Sequence, residues 1–411
     1  MKKPFLLLLF LWLLFLWFIH PVFSQGDNQE NVNTPEKQIS FAREKKTHTY
    51  YVKQAELWWG EVQKDKKSET SWFNYYRACR NAQGTADWKE EFVQESSALK
   101  LGVDIVKLMK THIPDTFTYY FVAGSTGGVA SDGDLLLKAY RLNPDFEGIQ
   151  ATVVTHATTT LNDGLRKEVN ERWFKRNELS PNLMAYAYNV LLSLEPGAIL
   201  LTENDNDTYP LWMLQDAKNI RTDVSVINID FLLDENFREK TFQKLRIKPL
   251  GLGEIHVNDY SKNWEKVVHH FVTGYKTDKP LYLSMSMAPA RYEGLAADMF
   301  ATGLAWRYSK QKISTLASNQ ELFNNQLFFD YIKNNFSYDV SEEFVEELNL
   351  NYLPLLKECF VYYKSMNDAS KLNKINKITT SILEGIEDKQ VREKYTNSFF
   401  KPDLPVQNKP R

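Results

Sequence analysis

At Leu194-Glu195-Pro196-Gly197-Ala198-Ile199-Leu200-Leu201-Thr202-Glu203-Asn204-Asp205-Asn206-Asp207-Thr208-Tyr209-Pro210-Leu211-Trp212 the chain changes character. Pro196-Gly197 ends a helical pattern. Residues 198–202 form a short, continuous apolar run, the look of a strand buried on both faces. Glu203 to Asp207 make a polar turn, and Thr208 with Pro210 opens a helix. A second apolar run, 224–229, follows Arg221-Thr222-Asp223. Helical patterns over 236–245 and 263–275 lead to a third strand at 281–285 and a fourth at 303–308. Strand, helix, strand, helix, strand predicts an α/β domain over 196–318 with a mostly parallel sheet.

Helical periodicity dominates on both sides of this block. Tyr51, Ala55, Trp58, Trp59 and Val62 share a helix face, and Trp72, Tyr76 and Cys79 mark a second helix. A longer amphipathic stretch runs from Trp88 to Met109. Ile113-Pro114-Asp115-Thr116 starts another helix, a Gly-rich interhelical gap spans 124–133, and helical pairs follow over 146–161 and 164–176. The helix-turn-helix ending in Leu142-Asn143-Pro144-Asp145, with Leu136 and Ala139 at packing positions, resembles a tetratricopeptide repeat. Tyr120 stands where that repeat has a small residue. Residues 47–195 are therefore read as a tetratricopeptide-like helical domain, and 319–400 as C-terminal helices. The fold class expected is mixed, with helical regions on either side of the α/β domain.

Lys2 and Lys3 precede an uncharged apolar run from Pro4 to Ile19, which His20-Pro21 breaks ahead of Ser24-Gln25. That is the pattern of a secretory signal over 1–24; the run is slightly short for a spanning helix, which needs about 20 apolar residues, and an uncleaved anchor is the alternative. Residues 25–46 read as a flexible leader and 401–411 as a loose tail. Exported, the protein would occupy the periplasm or outer envelope and meet a membrane only through an uncleaved N-terminal segment. The net charge of −2 argues against a nucleic-acid partner. Cys79 and Cys359 lie in apolar helical surroundings and read as buried thiols, although export would permit a disulfide.

The block 188–212, with Arg221-Thr222-Asp223-Val224-Ser225-Val226-Ile227-Asn228 and Gly303-Leu304-Ala305-Trp306-Arg307, resembles the extracytoplasmic domain of large Bacteroidetes membrane proteins related to protein O-mannosyltransferases. The likeness spans roughly residues 181–315. It implies a shared accessory domain and a Bacteroidetes cell envelope. It does not carry over mannosyl transfer, whose carboxylate lies between membrane spans in that family. Where the family favours Gly before Asp-Asn-Asp, this chain has Glu203-Asn204.

The candidate ligand-binding residues are Asn204, Asp205, Asn206, Asp207 and Thr208, placed where a first parallel strand would end. Asp205 and Asp207 together could hold a hard cation. The competing reading makes Asp207 or Thr208 a helix cap. The scattered histidines lack i, i+4 metal spacing. Ser284 and Ser286 lack the strained turn of a nucleophile, and the Trp and Tyr residues of the first two helices read as core. No catalytic residue and no cofactor emerges. The chain reads as an exported, non-catalytic protein-interaction or scaffold protein; the alternative is an accessory factor or enzyme of extracytoplasmic protein glycosylation using the Asp205/Asp207 loop.

Overall fold

The computed structural model describes residues 33–87, 91–126, 132–253, 259–333 and 339–400. The signal segment, the tail, residues 25–32 of the leader, Trp88, His256 and residues 127–131 of the Gly-rich gap lie outside the described residues. Among the described residues no helix is long and apolar enough to cross a membrane.

The N-terminal region comprises α1 (His48–Lys64), α2 (Glu69–Thr85), α3 (Gly102–His112), α4 (Phe117–Ser125), α5 (Gly133–Leu142), α6 (Ile149–Thr159), α7 (Asp163–Arg176) and α8 (Pro181–Leu192). Side-chain caps start most of them: Thr47, Ser68, Thr116, Asp132, Asn162 and Ser180 each accept a hydrogen bond from a first-turn N–H. Consecutive helices pair, α1 with α2, α4 with α5, and α6 with α7. In the α4–α5 pair the close approach is at Gly124, where a Cβ would stand 2.5 Å from the Leu136 backbone nitrogen. The small residue that Tyr120 lacks is thus supplied one helical turn later. The stretch expected to run helical from Trp88 to Met109 is interrupted instead. Phe92–Gln94 is a short 3₁₀ turn, and α3 begins only at Gly102.

The sheet is built from β1 (Ile199–Thr202), β2 (Ser225–Asn228), β3 (Leu281–Ser284), β4 (Met299–Thr302) and β5 (Ala305–Tyr308), in the order β2-β1-β3-β5-β4. β1 pairs in parallel with β2 and β3. Helix α9 (Tyr209–Lys218) connects β1 to β2, while α10 (Glu235–Leu245) and α11 (Tyr260–Gly274) lie between β2 and β3. β4 and β5 add an antiparallel hairpin to the β3 edge, so the sheet is mixed. Thr302 faces Ala305 across the two-residue turn Gly303-Leu304, and Gly303 takes φ +59° there, the conformation such hairpins favour.

Both faces of the sheet are covered, which explains the continuous apolar runs. Ile199, Leu201, Leu281 and Leu283 point into a core shared with α4–α7, α10 and α11. Leu200, Tyr282 and Ala305 point into a second core with α8 and the C-terminal helices α12 (Leu316–Glu321), α13 (Asp330–Lys333), α14 (Glu342–Asn349), α15 (Leu353–Ser365), α16 (Ala369–Glu384) and α17 (Lys389–Phe400). A third core sits among α1–α4 and takes in Trp72, Tyr75, Tyr76 and Cys79. Helices α4–α7 therefore pack on the sheet rather than forming a separate array, and α8 is an integral layer over its second face. Cys79 and Cys359 are both buried and free.

Residues 33–46 do not behave as the flexible leader expected over 25–46. Gln38 and Phe41 donate their backbone N–H groups to Asn74 and Asn81 of α2 at 2.8 and 3.1 Å. Arg43 reaches Glu147 at 3.1 Å, the Glu178 carbonyl at 3.1 Å and Asp339 at 3.2 Å. Lys45 pairs with Glu343 and Glu347, each at 2.8 Å. The segment is a strap joining the N-terminal helices to the C-terminal ones. Low hydrophobicity hides this, because the attachment is made by backbone amides and charges with distant partners.

Candidate functional site

β1 has β2 on one side and β3 on the other, so its carboxyl end is a topological switch point, where open α/β sheets leave a crevice. Each parallel strand delivers polar side chains there. After β1 come Glu203 to Thr208; β2 ends in Asn228 and continues to Asp230; β3 ends in Ser284, with Ser286 beyond.

The turn is closed by its own residues. Asn204 takes φ +67°, a left-handed conformation that Asn tolerates better than most residues and that Gly would adopt freely. Asn therefore does the conformational work of the glycine that the resembling family favours. Its N–H donates to Asp230 Oδ2 at 3.0 Å. Thr208 is fully buried; its hydroxyl donates to the Asn204 carbonyl at 2.8 Å, accepts from Asn228 Nδ2 at 2.9 Å, and lies 2.8 Å from the Thr202 hydroxyl. Thr208 precedes α9 as its cap residue, but its side chain makes no capping bond.

Nor does Asp207 cap that helix. It is buried, its Oδ1 accepts from the Ser284 hydroxyl at 2.7 Å, and its Oδ2 accepts from the Glu203 N–H at 3.1 Å. Burial pushes its carboxyl up to about 7, against the pull of those hydrogen bonds and with a further push from Glu203. Glu203 is buried as well, and is held by Arg291 Nε at 2.9 Å and the Ala288 N–H at 2.8 Å. Arg291 in turn donates to Ser261 at 2.8 Å and lies 4.5 Å over the Trp264 ring. Asp230 is also raised to about 7, chiefly by burial and next by the Glu203 charge.

Asp205 and Asn206 point elsewhere. Asn206 Nδ2 donates to the Ala42 carbonyl at 2.9 Å, so the strap crosses the rim of the site. Asp205 is exposed. Surrounding protein atoms desolvate it enough to raise its carboxyl, while Arg80 and Arg77 of α2 oppose the rise. Burial pushes the Arg77 pKa down, and Glu147 and Asp205 are among the charges that oppose this. No ion pair joins Asp205 to either arginine among the described residues, so these charges act on one another only at longer range.

The five residues of the candidate loop thus divide. Thr208 and Asp207 hold the turn to β2 and β3, Asn204 shapes it, Asp205 is exposed, and Asn206 meets the strap. Among the described residues no group of three or more His, Cys, Asp or Glu side chains converges to hold a metal ion. Both oxygens of Asp207 are already engaged by protein donors, so the Asp205/Asp207 pair does not fit a hard-cation site. Glu203, Asp230 and Arg291 were not among the residues expected from sequence, nor were Arg77 and Arg80. A polar residue closing each apolar run, as in Val226-Ile227-Asn228-Ile229-Asp230 and Leu283-Ser284-Met285-Ser286, is a signal for the strand-end groups. Nothing local marks the arginines, which lie more than a hundred residues upstream.

No curated protein and no solved structure matches the chain. A family model described as TMEM260-associated domain 2 does match, over residues 183–357, from α8 through the sheet to α15, a span that includes the mid-chain block resembling the mannosyltransferase-related domain.

Proposed function

We propose that this chain is an exported, non-catalytic interaction module of a Bacteroidetes cell envelope, binding a polypeptide partner at the charged surface where β1 ends. The observation that carries this reading is the set of unpaired charges there. Arg77 and Arg80 act on Asp205 through their charges, without an ion pair to it among the described residues. Partly desolvated charges are costly to leave unmatched, and a partner segment bearing both signs would complete them and set its own orientation.

The test is cross-linking capture from envelope extracts. Wild type should recover a partner that an Arg77→Glu/Arg80→Glu variant with unchanged circular dichroism loses. Recovery of the same set by both would sink the proposal. Export is tested separately by mass spectrometry, which should find Gln25, or its cyclised form, at the mature N-terminus.

A second reading, an accessory factor of extracytoplasmic protein glycosylation, is favoured by the match over 183–357. Asp205 and Asp230 offer the carboxylate acceptors that sugar hydroxyls use. Calorimetry with a mannosylated peptide should then give heat that Asp205→Ala removes; no heat with wild type would dispose of this reading.

A further inference from the structure

Away from this site, α13 and α16 enclose a surface groove of about 350 Å³ lined by Lys333, Ser370, Asn373, Lys374 and Lys377. The last four stand at i, i+3, i+4 and i+7, so they form one stripe along α16. Ile375, Ile378 and Ile382 of the same helix are buried in the core. The stripe is therefore set on a rigid, well-anchored helix.

Among the described residues no carboxylate lines the groove, and the Lys374 amine is held by neutral groups. Lys374 Nζ donates to the Phe323 carbonyl at 3.3 Å and lies 4.6 Å over the Phe323 ring. Neighbouring Lys371 donates to Asn324 Oδ1 at 2.6 Å. The acid paired with Lys333 is Asp330, at 3.9 Å and 82% exposed, a contact worth little in water. Lys377 is exposed and makes no ion pair among the described residues. Burial lowers the pKa of the Lys374 amine, and repulsion from Lys371 and Lys333 lowers it further, opposed only by Asp330.

We infer that this groove is a binding site for a phosphate-bearing ligand. Several amines, a hydroxyl and an amide converge on one space, more donors than the two oxygens of a carboxylate can satisfy. A phosphate group presents three or four oxygens and more charge, and Lys ammonium groups bind it as point charges. The groove is larger than one phosphate, so it has room for what the phosphate is attached to. The phosphate belongs either to a free solute or to an anionic lipid headgroup.

The experiment uses the full chain at low ionic strength, where such contacts are least screened. One arm titrates inorganic pyrophosphate by calorimetry. The other measures co-sedimentation with phosphatidylcholine vesicles with and without phosphatidylglycerol. Lys333→Glu/Lys377→Glu changes only exposed side chains and should leave the melting temperature unchanged; Lys374→Gln is the second variant. Wild type should bind in at least one arm, and each variant should weaken that binding by roughly tenfold or more, the loss expected for charge-assisted contacts. Binding of pyrophosphate alone assigns a free solute, and binding dependent on phosphatidylglycerol assigns a headgroup. Wild type binding in neither arm, or variants binding as tightly as wild type, would overturn the inference.

Discussion

Replacing Asp207 with Asn should change the pH dependence of stability rather than simply weaken the fold. Asp207 is 5% exposed, and burial holds its carboxyl at about 7. In the unfolded chain it titrates near 3.9, as a free Asp does (roughly). Between those values the folded protein keeps a proton that the unfolded chain has released. The unfolded state then binds fewer protons, so stability falls as pH rises from about 4 through about 7 and levels off above. A difference of about three pKa units sets an upper limit of about 4 kcal/mol on this loss. Asn cannot ionise, and its geometry suits the site. Its oxygen can accept from the Glu203 N–H while its amide donates to Ser284, whose hydroxyl turns toward Ser286 at 2.7 Å. At pH 5, about one unit above the unfolded value, the variant should lead wild type by only about 1.5 kcal/mol, give or take the roughly 1 kcal/mol of one rearranged hydrogen bond. At pH 8 it should be more stable by about 2–4 kcal/mol, the relief of a buried charge. Urea unfolding at both pH values measures this. A variant destabilised equally at pH 5 and pH 8 would refute the reasoning, because Asp207 would then act as an ordinary ionised hydrogen-bond acceptor.

Two further substitutions probe the frame around the site. Arg291→Ala strips the buried Glu203 of its cation, leaving only the Ala288 N–H and a charge 4% exposed. The expected loss in urea unfolding is about 3–5 kcal/mol, with part of it recovered when Glu203→Gln is added to remove the stranded charge. Arg43→Ala releases the strap from Glu147, Glu178 and Asp339 together. Global stability should drop by only about 1 kcal/mol, as for exposed pairs, while limited trypsin digestion after Lys45 and Lys46 should accelerate several-fold; an unchanged digestion rate would mean that other contacts hold the strap.

The periodicities alone determined the sequence of elements. Short apolar runs at 198–202 and 281–285 became β1 and β3 within a residue or so, because strands buried on both faces have no solvent side to interrupt them, and the Val and Ile residues of 224–229 became the edge strand β2. The loop after β1 was legible as a candidate site for a related reason: a polar cluster following a buried strand marks the carboxyl edge of a parallel sheet. Tertiary structure decided which of its residues are available. Asp205 and Asp207 are two positions apart and chemically identical, yet one is exposed and the other is buried against Ser284, 77 residues away in the chain. The switch point itself arises from β3 pairing with β1 instead of β2. The charges of Arg77 and Arg80 that act on Asp205 come from a helix of the N-terminal region, and the strap over the rim is fastened by Arg43 to Asp339, 296 residues distant. Local sequence sets backbone preference and the pattern of burial. Which charges meet, and which stay unmatched, depends on chain closure over long separations, and no local pattern records that.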